Sequence, residues 1–175
     1  MSLMDRLRPR TIADDIRDHS EIIIGIDPGT LESGVVLIAE DSKSVIARGV
    51  CENKQLVRAL YLSVRNEIVI ERIVSYGMAV GESTFETCVW TGRFIEAVSG
   101  SNFIYRVPRQ EVGLHLCRSV KAKDANISQA LRDKLGEVGT KKRPGPLYGF
   151  ATHMWSALAV AITFIETEDR SKWEY

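Results

Sequence analysis

The chain has no excess of charge, few cysteines and no hydrophobic run of membrane length. Its 175 residues carry 23 lysines and arginines against 23 aspartates and glutamates, so no global basic field announces a nucleic-acid partner. Any such contact has to come from a local patch. The 3 cysteines, Cys51, Cys88 and Cys117, are far apart, with no C-x-x-C pair and no nearby histidine cluster. They read as reduced, mostly buried thiols of a cytoplasmic protein. The longest apolar stretch, residues 155–165, is broken by Ser156 and Thr163 and is too short to span a bilayer, so a core helix is expected there and no membrane partner. Residues 1–20 mix Arg6, Arg8, Arg10 and Arg17 with Asp5, Asp14, Asp15 and Asp18 and lack the apolar core of a secretory signal. There is no internal repeat, low-complexity tract or domain-sized linker.

What is present suits one domain. A hydrophobic content of 45% can bury a sizeable core at this length. The expected organisation is an N-terminal extension over 1–20, one folded domain over 21–168 and a polar tail over 169–175. The extension is expected to be mobile or to form a short helical turn over 14–18, with Met1-Ser2-Leu3 before Met4 reading as a cloning remnant.

The most informative residue is Asp27. It closes the apolar run Ile22-Ile23-Ile24-Gly25-Ile26 and precedes the turn Pro28-Gly29-Thr30, which places a carboxylate at the end of a buried strand. Residues 33–39 and 44–50 read as two further strands joined by a tight polar connection, giving an antiparallel meander. Leu56, Val57, Leu60 and Leu62 have roughly helical spacing, and residues 67–73 form another buried strand ending near a second carboxylate, Glu71. A glycine-containing loop leads to a helix over about 82–98. A fifth strand follows over 102–107, then a short helix after Pro108 and another over 124–135.

Residues 136–149, rich in glycine, proline and positive charge, read as an exposed loop. In the last helix, about 150–166, His153, Ser156 and Ala157 share one stripe, while Trp155, Leu158 and Ile162 lie on another face. The stripe with His153 is positioned to face the strand ends. Trp90, Phe94 and Trp155 are expected in the core.

Three motifs occur together in order: Gly25-Ile26-Asp27-Pro28-Gly29-Thr30, Ile70-Glu71-Arg72, and His153-Met154-Trp155-Ser156-Ala157-Leu158-Ala159. In this the chain resembles the RuvC Holliday-junction resolvases, especially their phage-borne branch. The resemblance runs from about residue 22 to 164 and includes a lysine-containing helix start, Lys121-Ala122-Lys123-Asp124. It implies an α/β fold of the RNase H-like type, a mixed five-stranded sheet of three antiparallel strands then parallel strands, with helices on both faces. It also implies a homodimer that binds four-way or branched DNA and cuts phosphodiesters with two magnesium or manganese ions. One position departs from the pattern: the last helix of the family supplies an aspartate before Ala-Leu-Ala, and this chain has Ser156 there.

Hydrolysis of a phosphodiester needs an acidified water and a stabilised leaving oxygen, which two divalent cations can supply together. Hard carboxylate oxygens suit magnesium, and an imidazole beside them tilts preference toward manganese. By the resemblance Asp27 bridges both ions, Glu71 completes one site, and His153 binds the second metal or acts as general base. Asp124 is the nearest substitute for the missing carboxylate. Lys121, Lys123, Lys141, Lys142 and Arg143 are candidates to neutralise phosphates. Tyr76 and Phe85, flanking the Glu71 strand end, are candidates to wedge against an unstacked base. The loss of an anion at Ser156 predicts weaker metal binding or slower chemistry. It also motivates an alternative, a catalytically impaired junction-binding protein. Asp-Pro-Gly-Thr is similar as well to the phosphate loop of actin-like ATPases and sugar kinases, but those close two such domains around a nucleotide and this chain has room for one.

Overall fold

The computed structural model of the chain describes residues 10–75, 77, 79–98 and 102–175. The strands are β1 (Ile23–Asp27), β2 (Glu32–Ile38), β3 (Val45–Glu52), β4 (Glu67–Arg72) and β5 (Phe103–Pro108). The helices are α1 (Ile12–Asp18), α2 (Asn53–Leu62), α3 (Glu82–Ala97), α4 (Arg109–Cys117), α5 (Asp124–Leu135) and α6 (Thr152–Ile165). One sheet orders the strands β3-β2-β1-β4-β5. β1 pairs antiparallel with β2, and β2 with β3, whereas β4 runs parallel to β1 and β5 parallel to β4. This is the mixed five-stranded sheet expected from the sequence.

The central strands read as nearly unbroken β-branched runs because both their faces are covered. Ile24, Ile26, Val35, Leu37, Ile68 and Ile70 point to one side, where Leu56, Leu60 and Phe94 of α2 and α3 meet them. Ile23, Val36, Ile38 and Val69 point to the other, against α6, with Val112 of α4 and Ile127 and Leu131 of α5 in the same layer. Every residue from Ala157 to Phe164 is buried, so α6 is the central helix of its layer.

Two glycines let α6 lie directly on the sheet. A Cβ on Gly25 in β1 would collide with the carbonyl oxygen of Ala157 and come within 2.9 Å of the Ala161 methyl. On Gly34 in β2 it would collide with the carbonyl oxygen of His153 and sit 2.8 Å from that residue's own Cβ. Gly34 is the register partner of Asp27, so the first turn of α6 arrives beside that carboxylate.

Among the described residues, segments on both sides of the sheet in sequence pack against the domain. Residues 12–18 form α1, with Thr11 as N-cap reciprocally bonded to Asp14, and they bury Ile12 and Ile16 in the α2 and α3 layer. Two buried isoleucines stabilise by roughly 1.5–3 kcal/mol each, enough to dock a two-turn helix. At the other end Trp173 is buried near Phe164, and the Tyr175 N–H donates to the Ile104 carbonyl on β5. Glu166, just past α6, receives Lys43, His115 and Lys134. Burial alone would raise its carboxyl, yet these three donors hold it down at about 2. Of the three free cysteines only Cys51 is buried, and Cys88 is exposed on α3. Trp90 and Trp155 are half-buried, unlike the fully buried Phe94. Among the described residues no helix is long and apolar enough to cross a membrane.

Candidate functional site

β1 and β4 run parallel with Ile26 opposite Ile70, and the next residue along each is a carboxylate, Asp27 closing β1 and Glu71 one before the end of β4. With Ile26 and Ile70 turned toward α2 and α3, strand alternation sends both carboxylates to the α6 side. There His153, in the first turn of α6, places its Nδ1 3.0 Å from Asp27 Oδ2. Asp27 is 17% exposed, whereas His153 is 51% exposed, so the ring reaches from solvent to a mostly enclosed carboxylate.

The turn after Asp27 is fixed by buried polar groups that the sequence did not single out. Ser33 Oγ donates to Asn53 Oδ1 at 2.7 Å and accepts from the Gly29 N–H, and the Asn53 amide donates to the Gly29 carbonyl at 2.9 Å. The Asn53 N–H donates to the Leu31 carbonyl. With every partner satisfied, this network is rigid, and it pins the strand end that carries Asp27. An asparagine directly after a strand and opening a helix is the signal that could have drawn attention to it.

A second unanticipated residue is Arg109. It is the first residue of α4, following Pro108 at the end of β5, and β5 pairs Val107 with Glu71. The register therefore delivers its guanidinium to the same sheet edge as the two carboxylates. Its Nε lies 3.9 Å from Glu71 Oε1, and its terminal nitrogen bonds Asp124 Oδ1 at the start of α5. Asp124, 81% exposed, thus joins the cluster through Arg109. Arg109 borders two cavities. One of about 350 Å³ is lined by Asp27 and Glu71, and one of about 360 Å³ by Asp124, Phe150, Trp155 and Ser156.

The electrostatics follow from too much negative charge in too little water. Burial raises the Asp27 carboxyl above its ordinary value, and Asp124 adds to this, while His153 and Arg109 oppose it. Glu71 is pushed up to about 7, first by burial and then by Asp27, against the pull of Arg109. The unfolded chain releases this proton near 4.5 and the folded chain keeps it to about 7. Stability supplied by the protonated form is therefore fully present below about 4.5 and is lost as pH rises through about 7. Metal-free protein is expected to lose on the order of 2–3 kcal/mol between about pH 5 and about pH 8. Urea denaturation in chelator across that range measures the loss. Glu71→Gln should flatten the profile, and an unchanged slope in that variant would assign the loss to another group.

A divalent cation fits the chemistry of this donor set in part. Asp27 and Glu71 offer hard carboxylate oxygens from neighbouring strands, and burial first, then nearby carboxylates, raises their affinity for protons, a penalty on the charged forms that a bound cation would offset. Among the described residues, however, no three His, Cys, Asp or Glu side chains are gathered into a ready metal-binding group. Arg109 already engages Asp124, and Ser156 offers only a hydroxyl in the cavity beside it.

Lys121 and Lys123 are exposed just before α5, with Lys123 adjacent to Asp124. Lys141, Lys142 and Arg143 are exposed where the chain turns back on itself between Gly139 and Pro144, a hairpin tip closed by mutual backbone bonds of Thr140 and Arg143. Phe85 is 61% exposed in α3. Tyr76 lies outside the described residues.

No protein-family model and no curated protein matches the sequence. Solved structures do resemble the fold. Thermus thermophilus RuvC matches with a TM-score of 0.58 at 17% identity, covering 81% of this chain and 92% of that one. T. thermophilus RuvC in complex with a Holliday junction substrate matches with a TM-score of 0.59 at 18% identity, covering 82% and 92%. The chain therefore has a RuvC-like fold of the RNase H-like type, as the sequence resemblance implied.

Proposed function

We propose that this chain is a metal-dependent, structure-selective endonuclease that cuts phosphodiesters in branched DNA, four-way junctions among them. The observation that carries the reading is the pairing of Asp27 and Glu71 at neighbouring strand ends, with His153 on Asp27. It is supported by a fold like that of a RuvC solved with a Holliday junction substrate. A bound magnesium or manganese ion would polarise the phosphodiester and acidify a water. Asp27 and Glu71 are the residues to hold it. Asp27 would hold the half-exposed His153 ring through Nδ1, and its Nε2 would serve as the proton acceptor for water. Lys121, Lys123, Lys141, Lys142 and Arg143 would neutralise phosphates around the site, and exposed Phe85 would stack on an unpaired base. A second copy of the chain would match the two-fold symmetry of a four-way junction.

Ser156 favours a second reading, a protein that binds junctions but cuts them poorly or not at all. Incubating a labelled four-way junction and a matched linear duplex with the protein in magnesium and in manganese separates the two. Paired nicks in the junction alone, absent with Asp27→Asn, support the nuclease. Tight junction binding without nicks in either metal supports the binding protein.

A further inference from the structure

Resting on the branched-DNA reading of the site, we propose that the cavity beside Ser156 receives one unstacked nucleobase of the strand whose phosphate is held at Asp27 and Glu71. At about 360 Å³ the cavity is within the size range of small-ligand sites. Phe150 and Trp155 supply aromatic faces in its wall, and Ser128, Thr152 and Ser156 add hydroxyls able to bond the edge of a base. Such a lining suits a flat aromatic group with a polar rim.

The two rings are braced from behind. Their centroids are 5.1 Å apart and their planes are inclined at 45°, so they make a corner and do not stack flat on one another. The Arg48 guanidinium lies 5.0 Å from the Phe150 centroid, and that of Arg132 lies 5.3 Å from a Trp155 ring centroid. Arg48 is tied in turn to the Tyr148 carbonyl, and Arg132 to the Gln129 side chain. A corner held in this way loses little freedom when a base enters it. Its place fits a nucleotide as well. Arg109 lines both this cavity and the one at Asp27 and Glu71, so a strand crossing the guanidinium has its phosphate on one side and a base on the other. Lys121 and Lys123 are exposed just before α5, whose first residues, Asp124 and Ala125, line the same cavity, and they offer charge to the neighbouring phosphates. A base paired and stacked within a duplex has to leave the stack to enter, which favours strands with an unpaired nucleotide at a branch.

Binding in chelator to a short single strand, and to an abasic strand with the same number of phosphates, tests this without cleavage. Wild type is expected to bind the strand with bases at least about tenfold tighter, with quenching of tryptophan fluorescence. Trp155→Ala should bring the two strands within about threefold of each other. Ala125→Leu should do the same, because leucine at this exposed helical position suits the helix and fills part of the cavity. Both variants should bind the abasic strand as wild type does, which shows that they are folded. Equal binding of the two strands by wild type would overturn the pocket, and so would a preference that survives Ala125→Leu but is lost in Phe85→Ala. In either case a four-way junction that still binds leaves the branched-DNA reading standing. Failure of wild type to bind the junction or either strand would overturn that reading itself.

Discussion

Asp27→Asn is expected to slow metal-dependent nicking of a four-way junction by about a thousandfold or more while leaving the folded protein at least as stable as wild type at neutral pH. Asparagine keeps the size of the side chain and an oxygen for His153, but it removes the charge that would hold the cation. Metal stabilisation of a phosphoryl transition state is worth several kcal/mol, and about 4 kcal/mol corresponds to that factor. The stability side has its own sign. Burial lifts the Asp27 carboxyl above its ordinary value, so ionising it opposes folding, and the opposition is present at pH above that value. A neutral amide removes it. Rates of nicking and urea midpoints at about pH 8 in chelator, measured on the same preparations, check both halves. Loss of activity together with a destabilisation of about 2 kcal/mol would mean that Asp27 serves chiefly to anchor His153 and the first turn of α6.

How far the sequence revealed this arrangement depends on whether a residue's role is local or set by register. The runs around Ile24, Val36 and Val69 read as buried strands because β-branched residues suit a sheet covered on both faces, while the mixed five-stranded arrangement came from the family resemblance. Asp27 and Glu71 were legible because each ends such a run, and His153 because helical spacing aims it at the strand ends. Arg109 was not, since nothing in Pro108-Arg109-Gln110 tells that β5 pairs with β4 in a register that delivers a guanidinium to Glu71. Ser33 and Asn53, 20 residues apart in sequence, meet only once β2, β3 and α2 are in place. The helix α1 had a visible signal, Thr11 and Asp14 as a capping box with Ile12 and Ile16 one turn apart, outweighed by the surrounding charge. Trp155 was expected in the core, yet it is half-buried, tilts against Phe150 with ring centroids 5.1 Å apart and walls the Ser156 cavity.

Gly25→Val is expected to destabilise the protein by about 4 kcal/mol, the largest effect on folding of any substitution considered. The reason is the identity of what the new side chain meets. Overpacking against a flexible side chain is relieved by a rotamer change, but the first obstacle here is the carbonyl oxygen of Ala157, which is backbone at the start of the buried stretch of α6. The helix has to move as a body. Because α6 also carries His153, any such movement draws the imidazole away from Asp27, so a variant that still folds should lose activity as well. Two controls isolate the cause. Ala161→Gly removes the second obstacle, 2.9 Å away, and should rescue Gly25→Val only slightly, since the carbonyl remains. Gly92→Ala, inside α3 where an added methyl meets nothing within 4 Å, should stabilise by roughly 0.5–1 kcal/mol. Denaturant midpoints for the four proteins decide the matter. If Gly25→Val cost no more than about 1 kcal/mol, close seating of α6 on β1 could not be what sets the distance between His153 and Asp27.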